Sequence, residues 1–491
     1  MNWKRRRFLA SGASCWFLAG QARAEEEGTS GPAIFHTTDL HGHILPTESY
    51  EGEKDLGGLA RCATQIRRWR QQSPHHLLLD IGDVYQGTLA SWQTRGGLMV
   101  DLFNKLGYDA WTLGNHEFDW GPEVVEKAIE RSQMPVLAAN VKLDGQLVGV
   151  ERTEGLFQKL RPWIIKEVGG EKIGIIGLIT PGLPYWLRQE LLGPLEAVEP
   201  GPILRRCVAE LRSEGATKIV VTGHMGWRER GDDYANPVRE TLKDSGVDLY
   251  LGGHSHRRMP VWEASGVTCS QAGYHGLDCG RVRFDGEKAL PELARMDASV
   301  AYDGLVLEAA GKQLAAAKEE KRRVVGTLPQ AVEGSEEVRE FLAAAFATAA
   351  EKSGAEVDVV FHGTFGTKRI PAGEFTVADA WEVLPYENSL VHAELTASEL
   401  IAVLKDAEND RYSDRALLGL EVIRDASGVA VAIRPDGEER ERYRVVLNSY
   451  DAQSGGRRML LLRDLLSRPE SRSRLLPMDT REALLDHVAD L

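Results

Sequence analysis

Polar side chains of metal-ligand type follow five short apolar runs along this chain, and their placement is the feature that most constrains the fold. The runs lead into the segments TTDLHGH near Phe35, DIGD after Leu79, GNHEFD after Leu113, TGH after Val221 and GGHSH after Leu251. Amphipathic helical patterns separate the runs, and short strands alternating with helices predict a layered α/β domain. Ligand sites in open α/β sheets collect at the carboxyl ends of the strands. We therefore expect the five polar segments to meet in space.

Seven side chains in these segments are candidate metal ligands: Asp39, His41, Asp83, Asn115, His224, His254 and His256. They suffice for two divalent ions that share one carboxylate, and Asp83, central in the order, is the natural bridge. A mixed set of oxygen and nitrogen ligands without a thiolate suits Zn, Mn, Fe or Co better than Ca or Mg. Each motif alone is typical of a structural role, but their joint occurrence favours a two-metal site.

The motif set DLH, GD, GNHE, GH and GHSH, in that order, resembles the calcineurin-like metallophosphoesterases from about residue 34 to residue 284. GNHEFD with a downstream domain resembles the secreted 5'-nucleotidase and UDP-sugar hydrolase group. The resemblance implies a four-layer α/β/β/α catalytic sandwich and a smaller α/β substrate domain. It also implies one ion at Asp39, His41, Asp83 and His256, and a second at Asp83, Asn115, His224 and His254.

By the same resemblance, His116 and Asp119 are the catalytic dyad. Two ions clamp a phosphoryl group and generate hydroxide near neutral pH, so the implied reaction is attack on a phosphate ester by hydroxide that bridges the metals. His116 would face the leaving oxygen, with Asp119 fixing its tautomer and orientation. The alternative is that His116 only supports the ligands, a role we also expect for His36, His43 and His275.

The length of 491 residues predicts two domains. We expect a catalytic domain over residues 31–295 and a substrate domain over residues 334–491. An Ala-, Lys- and Glu-rich stretch at 303–324 predicts one exposed helix that joins them, with an internal helix of either domain as the alternative. In the second domain we expect a helix at 336–352, a strand at 357–361, a helix opened by a Thr396–Glu399 capping box, and strands at 420–423 and 443–447.

The second domain departs from the substrate-binding motifs of the family it resembles. The family usually carries NGGGIR before an Ile-Pro-x-Gly segment, whereas HGTFGTKRIPAG here puts His362 and Thr367 at the expected Asn and Arg. The segment NSYDAQSGGRRML has arginines where the family has an aromatic residue after its glycines. The candidate substrate-binding residues are Lys368, Arg369, Tyr412 and Arg457, with a solvated basic face or a loop tyrosine as the alternative.

Residues 1–24 have the pattern of a twin-arginine signal peptide. A basic start at residues 4–7 precedes a small, apolar run at 9–20 and an A-x-A cleavage site at 22–24. The apolar run is shorter than the roughly 20 residues that a membrane span needs. We expect no stable membrane span and export by the twin-arginine machinery to the periplasm or beyond.

The chain is acidic, with 73 acidic and 59 basic residues, and five of the basic residues lie in the predicted signal. This balance argues against a nucleic-acid polymer as partner, because phosphate backbones require a basic surface. The expected substrate is a small organic phosphate, most simply a nucleotide. Cys62 and Cys207 are expected to be buried thiols on helices, and a disulfide between Cys269 and Cys279 is left open.

These features predict an exported, two-metal phosphoesterase of the 5'-nucleotidase type. One alternative is a thiosulfohydrolase of the sulfur-oxidation type, because those enzymes resemble this family and use two Mn ions and twin-arginine export. The other is a non-catalytic periplasmic protein that binds metal or nucleotide. His116 and Asp119 argue against it, because binding alone needs no proton donor.

Overall fold

The computed structural model describes residues 31–148, 157–410, 413–435 and 437–491. The predicted signal peptide and Tyr412 lie outside the described residues. Within them, strands and helices alternate and form two α/β regions, as the sequence predicted. We call them the first region and the second region.

The first region is built from short strands and amphipathic helices. Its strands are β1 (Ala33–Thr37), β2 (His76–Asp80), β3 (Ala110–Thr112), β4 (Val136–Leu137), β5 (Val141–Leu143), β6 (Gln146–Leu147), β7 (Leu160–Arg161), β8 (Trp163–Val168), β9 (Glu171–Ile179), β10 (Leu195–Ala197), β11 (Lys218–His224), β12 (Leu249–Gly252), β13 (Arg258–Ala264), β14 (Val267–Ala272), β15 (Asp278–Asp285) and β16 (Lys288–Arg295). Its helices are α1 (Leu59–Gln72), α2 (Leu89–Gln93), α3 (Gly97–Leu106), α4 (Pro122–Arg131), α5 (Gln189–Leu192), α6 (Pro200–Ser213) and α7 (Val238–Leu242).

Two mixed sheets pack face to face in this region. One has the strand order β16-β15-β1-β2-β3-β4-β7 and the other β13-β14-β12-β11-β9-β8. Apolar side chains of both sheets, among them Ile34, Leu79, Ile175 and Leu251, meet between them. Helices α1, α3 and α4 cover the outer face of the first sheet, and α6 and α7 cover that of the second. This is the four-layer α/β/β/α sandwich that the resemblance implied.

Parallel strands place the polar segments at one end of the sandwich. In the first sheet β1, β2 and β3 are parallel neighbours, and in the second β9, β11 and β12 are. The carboxyl ends of parallel neighbours lie at the same edge of a sheet. The loops after β1, β2, β3, β11 and β12 therefore carry the five segments towards each other.

A long helix, α8 (Gly304–Arg322), follows the sandwich, and the carboxylate of Asp303 caps its first turn. The sequence predicted that this helix is exposed, which is wrong for one of its faces. Val306, Ala310 and Ala317 are buried, and the helix contacts α1, α2 and α3. Small alanine side chains allow this close approach, but an Ala-rich sequence does not show which face will be covered.

The second region is a five-stranded sheet with helices on both faces. Its elements are β17 (Val324–Leu328), β18 (Val332–Glu333), α9 (Gly334–Lys352), β19 (Val359–His362), β20 (Arg369–Ile370), β21 (Gly373–Thr376), α10 (Val377–Val383), β22 (Ser389–Leu395), α11 (Ala397–Glu408), β23 (Ala416–Leu418), β24 (Leu420–Arg424), β25 (Ala430–Pro435), β26 (Tyr443–Asn448), α12 (Ser449–Ala452), α13 (Leu460–Leu466), β27 (Arg474–Asp479) and α14 (Thr480–Ala489). The central sheet has the order β23-β19-β26-β22-β27. The predicted capping box is confirmed, since Thr396 Oγ1 accepts from the Glu399 N–H at 3.2 Å and Glu399 Oε2 from the Thr396 N–H at 2.8 Å.

All four cysteines of the described residues are buried free thiols. Cys269 lies in β14 and Cys279 in β15, which belong to different sheets, so the disulfide left open by the sequence is not formed. In the part of the chain that the structure covers, no helix has both the length and the apolar character to cross a membrane.

Candidate active site

The structure brings the seven candidate ligands together at one end of the sandwich. Asp39 and His41 follow β1, Asp83 follows β2, Asn115 follows β3, His224 ends β11, and His254 and His256 follow β12. Their ligand atoms form two groups, each with all atoms within 4.8 Å: Asp39, His41, Asp83 and His256, and Asp83, His224 and His254. Asn115 adjoins the second group, with its Oδ1 2.8 Å from His254 Nδ1.

Asp83 lies between the two groups. Its Oδ2 is 3.0 Å from His224 Nε2 and 3.7 Å from His41 Nε2. In the first group, Nε2 of His41 is 3.0 Å from Nε2 of His256, which is itself 3.4 Å from Asp39 Oδ1. One carboxylate thus belongs to two clusters of nitrogen and oxygen donors.

Hydrogen bonds on the outer ring nitrogens orient two imidazoles towards the centre. Nδ1 of His224 donates to the carbonyl of Ile81 at 2.6 Å, and Nδ1 of His41 to that of Gln86 at 2.9 Å. A neutral imidazole that donates from Nδ1 presents a lone pair at Nε2. Nε2 of His224 is buried without a hydrogen-bond partner among the described residues and faces the carboxylate of Asp83. Two acceptors facing each other require a cation or a proton between them, so this donor set fits a divalent metal.

Burial and the carboxylates shift the pKa values of these imidazoles in opposite directions. Burial lowers the pKa of His41 and of His254 to about 3, which keeps both rings neutral, as metal ligands must be. Burial also lowers the pKa of His224, but the carboxylates of Asp83 and Asp39 together outweigh it and raise this pKa to about 9.

The backbone of the site is strained. Five of the seven candidate ligands have positive φ angles, namely Asp39 (50°), His41 (49°), Asp83 (53°), His254 (66°) and His256 (54°). Non-glycine residues rarely adopt this conformation, and such strain concentrates at functional sites. Glycine allows a further close approach, because a Cβ on Gly114 would lie 2.2 Å from Asp83 Oδ1.

The buried carboxylate of Glu117 organises the loops that carry these ligands. It accepts hydrogen bonds from the backbone N–H groups of Asp83 (3.0 Å), Val84 (2.7 Å) and Gly114 (2.6 Å). Burial, with the nearby charge of Asp83, raises the pKa of Glu117 to about 7. Sequence reasoning placed Glu117 in the polar cluster without a role. Its only local signal is its position between His116 and Asp119.

His116 and Asp119 face each other beside the centre. A short 3-10 turn, His116–Phe118, brings His116 Nδ1 to 2.7 Å from Asp119 Oδ2. The backbone N–H of His116 donates to Asp83 Oδ1 at 2.9 Å. The side chain of His116 is 30% exposed, so its ring lies at the mouth of the site. Burial acts against it, but the carboxylates of Asp119 and Asp83 raise the pKa of His116 to about 10.

Three further histidines near these segments, His36, His43 and His275, lie in neither group of ligand atoms. His43 stacks on His275 with ring centres 3.7 Å apart, and the His275 N–H donates to the carbonyl of Asp39 at 2.7 Å. His36 is buried in β1 against Gly280, where an added Cβ would lie 1.9 Å from its Nε2. His43 and His275 thus pack beside the loop that follows β1, and His36 packs within the first sheet.

Tyr50 is a neighbour of the site that sequence reasoning missed. Its hydroxyl lies 3.0 Å from Nδ1 of His256, and its ring stacks on Tyr274 with centres 4.2 Å apart. The Tyr50 N–H donates to the hydroxyl of Tyr274 at 2.8 Å, which fixes the loop. No sequence pattern links Tyr50 to a histidine 206 residues away.

The candidate substrate-binding residues are dispersed in the second region. Lys368 Nζ is 3.9 Å from Asp414, and Arg369 pairs with Glu333 at 3.1 Å. Both basic side chains are exposed and paired with carboxylates of their own region. Tyr412 lies outside the described residues, so of the four candidates the structure brings Arg457 alone against the first region.

Arg457 belongs to a loop that contacts the first region near the ligands. Its guanidinium carbon lies 5.0 Å from the ring centres of both Tyr185 and Tyr234. Ser454 Oγ in the same loop donates to the carbonyl of Tyr185 at 2.9 Å. The next residue, Trp186, has its ring centre 5.0 Å from that of His254. Tyr185, Trp186 and Tyr234 of the first region thus surround this loop, together with Tyr450 of the second region.

The sandwich, with acids and imidazoles converging at the carboxyl ends of its strands, defines a metallophosphoesterase-type protein. Residues 32–258 match the family model described as calcineurin-like phosphoesterase, and residues 324–462 match that of the 5'-nucleotidase C-terminal domain. The chain thus carries a calcineurin-like phosphoesterase domain followed by a 5'-nucleotidase C-terminal domain.

Known relatives agree in sequence and in structure. The chain is 35% identical over 247 residues to a snake venom 5'-nucleotidase from Gloydius brevicauda, a match that covers 49% of this chain and 39% of that protein. It thus spans about two fifths of the length of that curated relative.

Two solved structures extend the comparison to both regions. A 5'-nucleotidase precursor from Thermus thermophilus has a TM-score of 0.68 and 26% identity, covering 93% of this chain and 96% of that one. The sulfate thiohydrolase SoxB from the same organism has a TM-score of 0.61 and 18% identity, covering 94% of each chain, which shows a shared fold.

Proposed function

We propose that this protein is a two-metal-dependent phosphoesterase that hydrolyses nucleotides, in the manner of a 5'-nucleotidase, or related organic phosphates. The observation that carries the proposal is the carboxylate of Asp83, which is shared by two groups of ligand atoms beside the His116–Asp119 pair. Similarity to 5'-nucleotidases over about half of this chain in sequence and over both regions in structure supports a nucleotide monoester as substrate.

The proposed ligand sets follow the two groups. One divalent ion, Zn, Mn, Fe or Co, would be held by Asp39, His41, Asp83 and His256, and a second by Asp83, Asn115, His224 and His254. When bound, such a pair neutralises phosphoryl oxygens and lowers the pKa of a water molecule. The protein's own contribution is to hold these donors in a strained, preorganised arrangement.

His116 and Asp119 would act on the leaving group. Asp119 accepts the Nδ1 proton of His116 at 2.7 Å, which fixes the ring and leaves Nε2 for the substrate. A donor fixed at the leaving oxygen stabilises the charge that develops there as the ester bond breaks.

We propose that residues 31–295 form the catalytic domain and residues 334–491 the substrate domain, joined by the helix at 303–324. Arg457 with Tyr185 and Tyr234 would bind the substrate beyond the phosphate, because a guanidinium next to aromatic faces suits a flat, anionic ligand. Lys368, Arg369 and Tyr412 stay candidates for this role.

We also propose export by the twin-arginine route to the periplasm, with cleavage after Ala24. The basic, apolar and A-x-A parts of residues 1–24 support this. Amino-terminal sequencing of the periplasmic fraction should find Glu25 first. A protein that keeps Met1 and stays in the cytoplasm would contradict the proposal.

A hydrolysis panel tests the function directly. Mature protein loaded with Mn or Zn is assayed for phosphate release from nucleoside monophosphates, UDP-sugars, sugar phosphates and phosphodiesters, with Asp83→Asn as the inactive control. We expect a nucleotide to be the best substrate. Hydrolysis of a sulfonate thioester without phosphate release would indicate a thiosulfohydrolase, and tight nucleotide binding without turnover would indicate a binding protein.

A further inference from the structure

A buried carboxylate of the second region reaches into the first. Glu387 lies between α10 and β22, and its side chain is only 8% exposed. Its Oε1 accepts a hydrogen bond from Trp92 Nε1 and its Oε2 one from Trp120 Nε1, both at 2.7 Å. Trp92 belongs to α2, and Trp120 directly follows Asp119. A single side chain thus connects the second region to two segments of the first.

Cations of both regions face the same carboxylate. Arg95 Nη1 of the first region lies 3.6 Å from Oε1 of Glu387, and Arg481 Nη1 of the second region lies 4.0 Å from Oε2. Arg95 also lies 5.0 Å from the ring centre of Trp92 and 5.5 Å from that of Trp120. A buried carboxylate needs hydrogen bonds and opposite charges to offset the cost of burial, and Glu387 has both, although burial still raises its pKa. Its position is therefore a fixed feature of the contact between the regions.

Trp120 connects this contact to the candidate dyad. Its ring stacks on Tyr85 with centres 5.5 Å apart, and the hydroxyl of Tyr85 donates to the carbonyl of Glu117 at 2.9 Å. Asp119, the residue before Trp120, holds His116 at 2.7 Å. Rotation of the Trp120 side chain away from Glu387 would therefore disturb the turn that carries His116 and Asp119.

We propose that Glu387 is a positioning residue that, through Trp120, holds the His116–Asp119 pair in place when the second region is seated on the first. The catalytic consequence rests on the proposed phosphoesterase function, whereas the mechanical coupling does not. Placement of the substrate region and orientation of the leaving-group donor thereby become one event. Residues 115–121 lose this restraint when the contact with Glu387 is broken.

Two variants that remove one donor each from the same carboxylate separate this coupling from general loosening. Trp120→Phe keeps a ring against Tyr85 but removes the N–H next to the dyad, while Trp92→Phe removes the equivalent N–H in α2. For Trp120→Phe we expect kcat to fall about 10-fold or more with KM within twofold, because small misplacements of a catalytic group are costly. For Trp92→Phe we expect the fold-decrease in kcat to be less than about a third of that in Trp120→Phe.

Glu387→Gln changes the acceptor itself. Its amide keeps one oxygen for one indole and turns an NH2 donor towards the other, so we expect kcat to fall as in Trp120→Phe. The chain offers a matched control, because Trp163 Nε1 donates to Glu210 Oε2 at 3.0 Å within the first region. Glu210→Gln makes the same change to an indole acceptor away from the dyad and should leave kcat unchanged.

Amide hydrogen exchange of residues 115–121 in the full chain tests the coupling without any assay of activity. We expect faster exchange of this segment in Trp120→Phe and Glu387→Gln, and wild-type exchange in Glu210→Gln. Unchanged exchange in Trp120→Phe, or equal losses of kcat in Trp92→Phe and Trp120→Phe, would overturn the inference. If the wild-type protein releases no phosphate but residues 115–121 still exchange faster in Trp120→Phe and Glu387→Gln, the coupling is supported and only the proposed function is overturned.

Discussion

At the scale of single residues, His116 tests the proposed chemistry most directly. Its ring lies beside the ligands without belonging to either group of ligand atoms, so His116→Ala should keep the bound metal. We expect kcat for the best substrate to fall by about 10²- to 10⁴-fold, the usual contribution of a positioned proton donor. Steady-state kinetics and metal analysis of the same sample check this. If His116→Ala turned over substrate as fast as the wild type, His116 and Asp119 would have no part in the mechanism.

Tyr50 provides a second prediction, about metal affinity. Its hydroxyl contacts Nδ1 of His256 at 3.0 Å and so orients Nε2 towards the centre. Tyr50→Phe keeps the stacking ring and removes this contact, and we expect metal affinity to fall by about 10-fold, as for other groups that support metal-ligating histidines. Competition with a chelator measures the affinity. Tyr302→Phe, at an exposed position, is the control and should bind metal as the wild type does.

Single residues also show how far sequence reasoning reached. The seven candidate ligands could be chosen from residue type and from their position after apolar runs, since both are local properties. Glu117, Tyr50 and Glu387 could not be chosen, because their roles depend on partners that only folding supplies. Glu387 and Trp92, for example, are 295 positions apart in the chain.

At the scale of secondary-structure elements, the buried face of α8 is open to a matched test. Ala310 is fully buried on that face, whereas Ala315 of the same helix is exposed. Ala310→Leu should destabilise the protein by about 1–3 kcal/mol, because added methylenes do not fit a close-packed contact. Ala315→Leu should change stability little. Denaturant unfolding of both variants measures the difference, and equal stabilities would contradict the packing of α8 against α1, α2 and α3.

The segment between α10 and β22 should make stability depend on pH. Burial raises the pKa of Glu387 from 4.5 to about 7, although Arg481 and the two indoles oppose the shift. The folded state therefore favours the protonated form of Glu387. Its contribution to the free energy of unfolding is fully present below pH 4.5 and is lost as the pH rises through about 7. It amounts to at most about 3 kcal/mol.

Thermal unfolding between about pH 5 and pH 8 checks this expectation. The stability of the wild type relative to Glu387→Gln should fall as the pH rises. Arg95, Arg481 and Asp479 also act on Glu387, but they are present in both proteins, so the comparison isolates the effect of Glu387 itself. Glu210→Gln should keep the wild-type slope. Parallel pH profiles for wild type and Glu387→Gln would show that Glu387 does not titrate in this range.

Element positions were largely predictable, and their environments were not. Periodicity placed the helix predicted at 336–352 within two residues of α9 (Gly334–Lys352) and the strand predicted at 443–447 within one residue of β26 (Tyr443–Asn448). The buried face of α8 escaped prediction, because alanine is compatible with both solvent and a close-packed contact.

At the scale of the whole molecule, the candidate metal centre joins the ends of both sheets and should contribute to global stability. Without cations, the carboxylates of Asp39 and Asp83 are buried beside each other and repel. Removal of divalent ions should lower the unfolding temperature, and Mn or Zn at about 100 times its Kd should restore about 2.7 kcal/mol. Calorimetry with and without a chelator measures the shift. In Asp83→Asn, most of this metal-dependent shift in unfolding temperature should be lost. An unfolding temperature of the wild type that does not change with metal would contradict the two-metal site.

The sequence by itself determined the alternation of strands and helices, the order of the polar segments and the chemical type of the candidate ligands, because these depend on local spacing and residue type. The place of Asp83 in the order of segments also suggested the carboxylate that the two groups share. Only the tertiary structure decided that His224 turns its Nε2 inwards and that Glu387 joins the second region to Trp120. Those features arise from hydrogen bonds and burial between residues far apart in the chain. Such contacts exist only after the two sheets and the two regions have packed.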